Sequence, residues 1–505
     1  MGAHLPLPSE LSEFLSLPGP QSLLLRGSPG SGKTTLSISL LQGFQGKRVL
    51  VTSRVSAAKL EQEFPWLGES GHRSIEVIDT TGATGDSRST SKAEPRIREL
   101  LTGAQPDSED LRRFLWLPGP MQQAWGAASE SAPTIVVVDS WDALVESYLG
   151  GASKDGGASP SRVDIERILL ERMGSAPIHL VLLLEREGQT PLDYLVNGVV
   201  HLKTEFQDER LERWLIFHKL RGIRIANAMY PFSLEGGKFE CIEPMRHPES
   251  FPSGRAEPEP DAIPGHIWPG SSSYADGFGR LPLGSITMLE LDSDVPQSVP
   301  YLLFSPTVAQ VAGRGGSVLI LPDTDADPEV LWGRVQPSLS QRKYLDHVRF
   351  VTPTDGNGAS TLAPTFDRTL IHIGPTNGSG GSKWEEQLDT FLGEGEGQGA
   401  PGFGLFHLSG IHGLTSAYKV PVGPDMIERL PSIVRRLVRD KAMHTVLVGR
   451  SGDRLLEALR RVAPSHIRVR MRQGRILLHG RSPWTPTFLL AAGQDHVPYE
   501  LLRVV

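Results

Sequence analysis

A single cysteine, Cys241, stands in the 505 residues of this chain. One thiol excludes an intrachain disulfide and any metal site built on cysteines, and it suits a reducing compartment. Long apolar runs are missing too. The longest, such as His179-Leu180-Val181-Leu182-Leu183-Leu184, fall far short of the roughly 20 residues that a membrane-spanning helix needs, and read as strands buried on both faces. Positive charge is not in excess. The chain has 51 Lys and Arg against 58 Asp and Glu, a net charge of -7 with a pI near 6.1. That makes no overall electrostatic case for nucleic acid or for a membrane surface. It is also short of the strongly acidic balance expected of a salt-loaded cytoplasm. The start, Met1-Gly2-Ala3-His4-Leu5-Pro6, has neither the basic nor the apolar region of a leader, and Pro6 spoils a myristoylation signal. A cytoplasmic protein without membrane contact is expected. His72, His201, His218, His372, His407 and His412 show no metal-ligand spacing, and no nucleophile elbow or His-Glu-x-x-His motif occurs.

What is present begins with Gly27-Ser28-Pro29-Gly30-Ser31-Gly32-Lys33-Thr34, a full G-x-x-x-x-G-K-[ST] phosphate-binding loop. The apolar run Ser22 to Leu25 predicts a strand before it, and Thr35 to Leu41 a helix after it. Glycines let backbone N–H groups turn inward around a phosphate, and the helix N-terminus adds its positive dipole end. The stretch from Gly27 to Thr35 is therefore the expected ATP contact. Lys33 is placed to reach the β- and γ-phosphates, and the Thr34 hydroxyl to ligate Mg²⁺. Thr134-Ile135-Val136-Val137-Val138-Asp139-Ser140 is the second signal. A buried strand ending in Asp, downstream of such a loop, puts a carboxylate at the sheet edge where it can hold Mg²⁺. Read alone, the same pattern also describes a strand followed by an ordinary helix N-cap.

Strands at 47–52, 75–79 and 178–184 alternate with helices at 11–17, 56–64, 141–148 and 162–173, which predicts an α/β fold with a mostly parallel sheet. Loops are expected at 80–93 and 150–160, with short helices at 96–101 and 108–116. Val199 to Lys203 and Arg213 to Lys219 read as a hairpin around Gln207-Asp208-Glu209. The first domain spans 1–245. A Pro- and Ser-rich stretch, 246–276, reads as an extended linker. The second domain, 277–505, repeats the first. Leu281 to Leu291 lines up with Leu17 to Gly27, Gly316 to Leu321 with Lys47 to Thr52, and Thr369 to Gly374 with the strand ending in Asp139. In that register Gly32 becomes Pro296, Lys33 becomes Gln297, Thr34 becomes Ser298 and Asp139 becomes Gly374. Asp292 and Asp294 enter the loop, where they repel phosphate. The second copy is expected to be a degenerate domain for partner binding or assembly. Trp484, between prolines, is expected to pack its end.

The intact loop, Asp139-Ser140 and Lys219-Leu220-Arg221-Gly222 resemble the RecA superfamily, and its KaiC-like branch in particular. Tyr230-Pro231-Phe232-Ser233-Leu234 and the opening Leu281 to Thr287 add to that likeness, which covers the first domain almost throughout and the second more weakly. The resemblance implies tandem RecA-like domains, ATP and Mg²⁺ as cofactors, and a homo-oligomer in which Lys219 and Arg221 act on a neighbour's γ-phosphate. The alternative for these two is a solvated basic strand end. The family often has paired glutamates just after the second strand, one of them activating water. Here Ser53-Arg54 stand there, with Glu61 and Glu63 only on the next helix. Glu185 matches a family Glu-Arg pair at the right sheet edge, as a catalytic carboxylate or a salt-bridged structural one. Slow hydrolysis is implied. Architecture, Thr52-Ser53-Arg54-Val55 and Phe64-Pro65-Trp66-Leu67 also resemble the archaeal gas-vesicle regulatory family GvpD, which implies a repressive partnership with a transcriptional activator.

Arg435, Arg436, Arg439, Lys441, Arg460, Arg461, Arg468, Arg470, Arg472 and Arg475 make the end of the second domain locally basic. This suits an acidic partner or nucleic acid, or simply a solvated face with its own carboxylates. Three functions follow. One is an ATP-driven switch acting on a protein partner through the second domain. Another is a DNA-repair or recombination ATPase of the RadA or RadB kind, against which overall acidity and the lack of aromatic–basic interleaving argue. The last is a nucleotide sensor without turnover.

Overall fold

The structure is a computed structural model, and it describes residues 7–64, 75–81, 117–127, 133–152, 161–173, 178–242, 255–323, 347–353, 370–373, 406–413, 424–440, 442–493 and 497–504. The helices expected at 96–101 and 108–116, and most of the loops expected at 80–93 and 150–160, lie outside these residues. The chain divides into two compact units, His4–Glu243 and Pro244–Arg503, apart from a few terminal residues.

The first unit is an α/β layer structure on one sheet. Its strands are β1 (Ser22–Arg26), β2 (Lys47–Thr52), β3 (Glu76–Asp79), β4 (Thr134–Asp139), β5 (Ile178–Leu184), β6 (Gly198–Gln207), β7 (Arg210–Leu220), β8 (Met229–Ser233) and β9 (Glu240–Cys241). The order is β3-β2-β4-β5-β1-β6-β7-β8-β9. Pairing is parallel from β3 to β6 and antiparallel from β6 to β9. Alternate residues of each central strand enter opposite cores. Leu23, Leu25, Ile135, Val137, Val181 and Leu183 meet the helix Lys33–Gly43 through Leu36 and Leu40. Leu24, Val136, Val138, Leu180 and Leu182 meet Trp141, Val145, Ile165 and Leu169. Two-sided burial explains the unbroken apolar runs. The hairpin β6–β7 is longer than expected and turns on Asp208 (φ 49°) and Glu209 (φ 63°), two left-handed residues whose twist suits a tight hairpin. The helix expected over 141–148 runs on to Ala152, taking in residues read as loop.

The second unit repeats this plan. Its strands are β10 (His266–Ile267), β11 (Leu281–Pro282), β12 (Ile286–Leu291), β13 (Val318–Leu321), β14 (Val348–Pro353), β15 (Leu370–Ile373), β16 (Phe406–Gly410), β17 (His444–Arg450), β18 (Ser465–Arg472), β19 (Arg475–Ser482), β20 (Phe488–Ala492) and β21 (Tyr499–Arg503). β10 and β11 form a small antiparallel pair, and the main sheet runs β15-β14-β13-β16-β17-β12-β18-β19-β20-β21. Parallel pairing from β15 to β18, then antiparallel pairing to β21, reproduces the first sheet with β15 added at the edge. This is the tandem α/β architecture expected of RecA-like domains.

Two readings of the second copy change. The strand equivalent to β4 is β16, since β16 lies between β13 and β17 as β4 lies between β2 and β5. The 370–373 strand, matched to β4 by pattern, is instead the edge strand β15. Secondly, the Pro-rich stretch read as linker is, from Arg255 on, built into the second unit. Trp268 is buried and donates to the Glu257 carbonyl, and Glu259 pairs with both Arg280 and Arg314. Trp484, expected to pack the end of this unit, is 58% exposed.

Candidate nucleotide site

β1 and the helix Lys33–Gly43 are joined by the loop Gly27 to Gly32, at the C-terminal edge of the parallel sheet. Gly30 (φ +75°) and Gly32 (φ +95°) take left-handed conformations that other residues resist. Gly27 is required for a different reason: a Cβ there would lie 2.3 Å from the Leu202 carbonyl oxygen. A Cβ at Gly30 meets nothing within 4 Å, so that part of the loop faces open space. Arg213, reaching over from β7, donates to the Gly30 carbonyl at 2.9 Å. Nothing in the residue pattern signals this contact, because it depends on how far the hairpin extends.

Lys33 is 7% exposed and folds back on its own loop, donating to the carbonyls of Gly27 (2.7 Å) and Ser28 (2.8 Å). Burial lowers its pKa, while the carboxylates of Glu185 and Asp139 pull it up. The Thr34 hydroxyl donates to Asp139 Oδ2 at 2.6 Å, so the two predicted metal ligands, 105 residues apart in sequence, are in contact. Burial raises the Asp139 carboxyl, opposed by that hydrogen bond and by the Lys33 charge. A hydroxyl and a carboxylate are hard oxygen donors of the kind Mg²⁺ takes when phosphates and water complete its shell. The loop, Lys33, Thr34 and Asp139 thus fit a magnesium-bound nucleoside phosphate.

The other candidates divide. Ser53 N donates to the Asp139 carbonyl at 2.8 Å, and its hydroxyl bridges the backbone of Ser140, accepting from the N–H at 2.9 Å and donating to the carbonyl at 3.1 Å. The Asp139–Ser140 peptide is cis. Arg54 pairs with Glu185 at 2.5 Å beside this edge. Glu185 is further held by its N–H on Asp142, at 3.1 Å. Glu61 and Glu63 are exposed on their helix, with Glu63 3.7 Å from Lys59. Lys219 and Arg221 are not brought to the loop of their own unit. Lys219 pairs with Val199, level with Leu24, and the Arg221 N–H bonds Asn197, level with the start of β1. Three residues of strand separate the first level from Gly27 and five the second, about 10 and 17 Å. Lys219 donates to the carbonyls of Asp193 (3.0 Å) and Val196 (2.6 Å), and burial lowers its pKa. Together with Arg26, Asp193, Tyr194 and His218 the two line an open cavity of about 430 Å³.

At the equivalent edge of the second unit the charges are reversed. Where β1 ends in Arg26, paired with Asp193 at 2.8 Å, β12 carries Glu290. Burial pushes the Glu290 carboxyl up, but hydrogen bonds from His466 and Ser451 and the charge of Arg481 win and hold it at about 2. Sheet register sets Arg450, opposite Leu291, at the place of Glu185. Its guanidinium donates to the loop carbonyls of Asp292 (2.9 Å) and Val295 (2.6 Å), doing there what Lys33 does in the first loop. The same register puts Gly410, not Gly374, at the place of Asp139. A cavity of about 30 Å³ remains, lined by Gln297, Asp323, Gly410 and Arg450 among others. The arginines of β18 are partly neutralised locally: Arg468 pairs with Asp292 at 3.0 Å, and Arg460 on the preceding turn with Glu457 at 3.1 Å.

No family model matches the chain. It is similar to Protein GvpD2 of Halobacterium salinarum, 26% identical over 502 residues, which cover 97% of this chain and 93% of that protein. It is also similar to Protein GvpD1 of the same organism, 25% identical over 348 residues, covering 67% of this chain and 60% of that one. The resemblance to GvpD proteins thus extends over both units. Among the described residues, no helix is long and apolar enough to cross a membrane.

Proposed function

We propose that this chain is an ATP-binding regulatory protein of the gas-vesicle system, in which Mg·ATP held by the first unit switches the grip of the second unit on a protein partner, a transcriptional regulator. The contact between Thr34 and Asp139, beside a buried Lys33, carries the nucleotide half of this reading. Similarity to two GvpD proteins along the chain supports the regulatory half. Mg²⁺, when bound, supplies positive charge that neutralises the β- and γ-phosphates. Lys33 would hold phosphate oxygens in place of the Gly27 and Ser28 carbonyls, and Thr34 and Asp139 would hold the metal. Lys219 and Arg221 are assigned to a neighbouring copy's nucleotide in a cytoplasmic homo-oligomer. Their distance from the loop of their own unit favours action in trans.

Slow turnover is part of the proposal, because Ser53 and Arg54 stand where an activating carboxylate would be. Pure sensing without turnover is the second reading, favoured by the ion pair that occupies Glu185. A DNA-directed ATPase is disfavoured by the overall acidity of the chain and by the carboxylate partners of Arg468 and Arg460. The test is equilibrium binding of ATP with Mg²⁺, with turnover and native mass measured on the same samples. Lys33→Ala is expected to weaken binding at least tenfold, the order of a lost charge-assisted contact. Wild-type protein that binds no nucleotide would overturn the reading.

A further inference from the structure

We propose that Arg54 is the residue that tells a nucleoside triphosphate from a diphosphate, and that its ion pair with Glu185 is a latch opened by the terminal phosphate. This rests on the nucleotide reading of the first loop.

The geometry is specific. Ser53 fastens the end of β2 to the backbone of Asp139 and Ser140 by hydrogen bonds of 2.8, 2.9 and 3.1 Å. Arg54, the next residue, is thereby anchored beside the metal-binding carboxylate. Its charge is felt by both Lys33 and Asp139, and so is that of Glu185. The pair therefore stands within electrostatic reach of the groups that meet the end of the phosphate chain. The Arg54 side chain is 49% exposed and Glu185 25%. An ion pair this open contributes little to the fold, so exchanging its partner costs little. A terminal phosphate offers an arginine two or three charged oxygens and more negative charge than a carboxylate, in the geometry that suits a guanidinium fork. A diphosphate ends too early to offer this.

The second unit offers a contrast. The ends of the corresponding strands carry Asp323, level with the place of Ser53, and Arg450, at the place of Glu185, and both line the small residual cavity. There the arginine is committed to two loop carbonyls. In the first unit Lys33 takes the loop carbonyls, which leaves Arg54 with a carboxylate it can exchange. The exchange would release Glu185 only while a triphosphate is bound, coupling any work of that carboxylate to the loaded state.

The experiment is calorimetric titration of the full chain with Mg²⁺ and either ADP or a non-hydrolysable ATP analogue. Arg54→Ala is expected to lower the preference for the analogue over ADP by about tenfold or more, with ADP affinity changed less than about threefold. Arg54→Lys should restore part of the preference, and Glu185→Gln should tighten the analogue several-fold while leaving ADP unchanged. Equal weakening of both ligands in Arg54→Ala, or no change in their ratio, would overturn the latch and leave the nucleotide site standing. Wild-type protein that binds neither ligand would overturn both. Circular dichroism of each variant guards against misfolding, and the ratio of two ligands on one sample is insensitive to a misfolded fraction.

Discussion

Asp139 sets stability against function. Burial pushes its carboxyl above the usual range, and the Thr34 hydrogen bond and the Lys33 charge offset this only in part. A carboxylate whose folded pKa is raised binds its proton more tightly in the native state. It therefore weakens the fold once pH rises above the unfolded pKa. Asp139→Asn removes that cost. In the absence of nucleotide the variant should melt at or above the wild-type temperature at pH 7. The difference should shrink as pH falls through the ordinary carboxylate range, where wild-type Asp139 is protonated in both states. Its affinity for ATP with Mg²⁺ should fall at least tenfold, the order of one lost charged ligand. Thermal melts from pH 4 to 8, with and without Mg·ATP, check both signs, and a destabilised apo variant at pH 7 would refute this account. At this scale the sequence was most informative where chemistry demands fixed spacing. Gly27 to Thr34 could be read because a phosphate cradle requires those residue types in that order. Arg213 and the partner of Arg54 could not be read, because each arrives from a distant strand.

The helices Trp141–Ala152 and Arg162–Met173 pack on the same face of the sheet, and their first turns are tied by one arginine. Arg162 bonds Asp142 at 2.7 Å and Glu166 at 2.8 Å, with those carboxylates only 6% and 2% exposed. Glu166 also accepts from the Trp141 indole at 3.1 Å, and Asp142 holds the backbone of Glu185. Arg162→Ala leaves the buried Glu166 without its arginine, and Asp142 with only Arg186 at 3.9 Å, and should cost about 3 kcal/mol in denaturant unfolding. Arg162→Met combined with Glu166→Gln should recover part of the loss, and full stability in the single variant would show that water replaces the guanidinium. None of this network is periodic, so the sequence displayed the helices but not the bond between them. Strand identity had a similar limit. The run at 370–373 is more apolar than the one at 406–410, and each has a glycine at its end. Only the sheet order shows that the second is the counterpart of β4 and the first an added edge.

Across the whole molecule, a duplicated sheet carries one site and its inverse. The first copy keeps glycines, a lysine and a hydroxyl–carboxylate pair at its strand edge. The second has Glu290, Asp292 and Asp294 there, and closes its loop with Arg450. The repeat was legible because apolar strands recur in the same order. The reversal of charge was legible only in part, since Arg450 lies far along the chain from the loop it fills. The consequence is stoichiometric. Calorimetry with Mg²⁺ and a non-hydrolysable ATP analogue should give one nucleotide per chain, and Lys33→Ala should weaken that one site at least tenfold without uncovering a second. Saturation should stabilise the protein by mass action, about 2.7 kcal/mol at a hundredfold excess over Kd, and Lys33→Ala should lose about half of that gain or more. Removing the plug with Arg450→Ala should not create a second site, because the acidic groups that repel phosphate remain. Two equivalents bound to the wild-type chain would mean that the second loop opens despite its arginine, and both units would then be sensors.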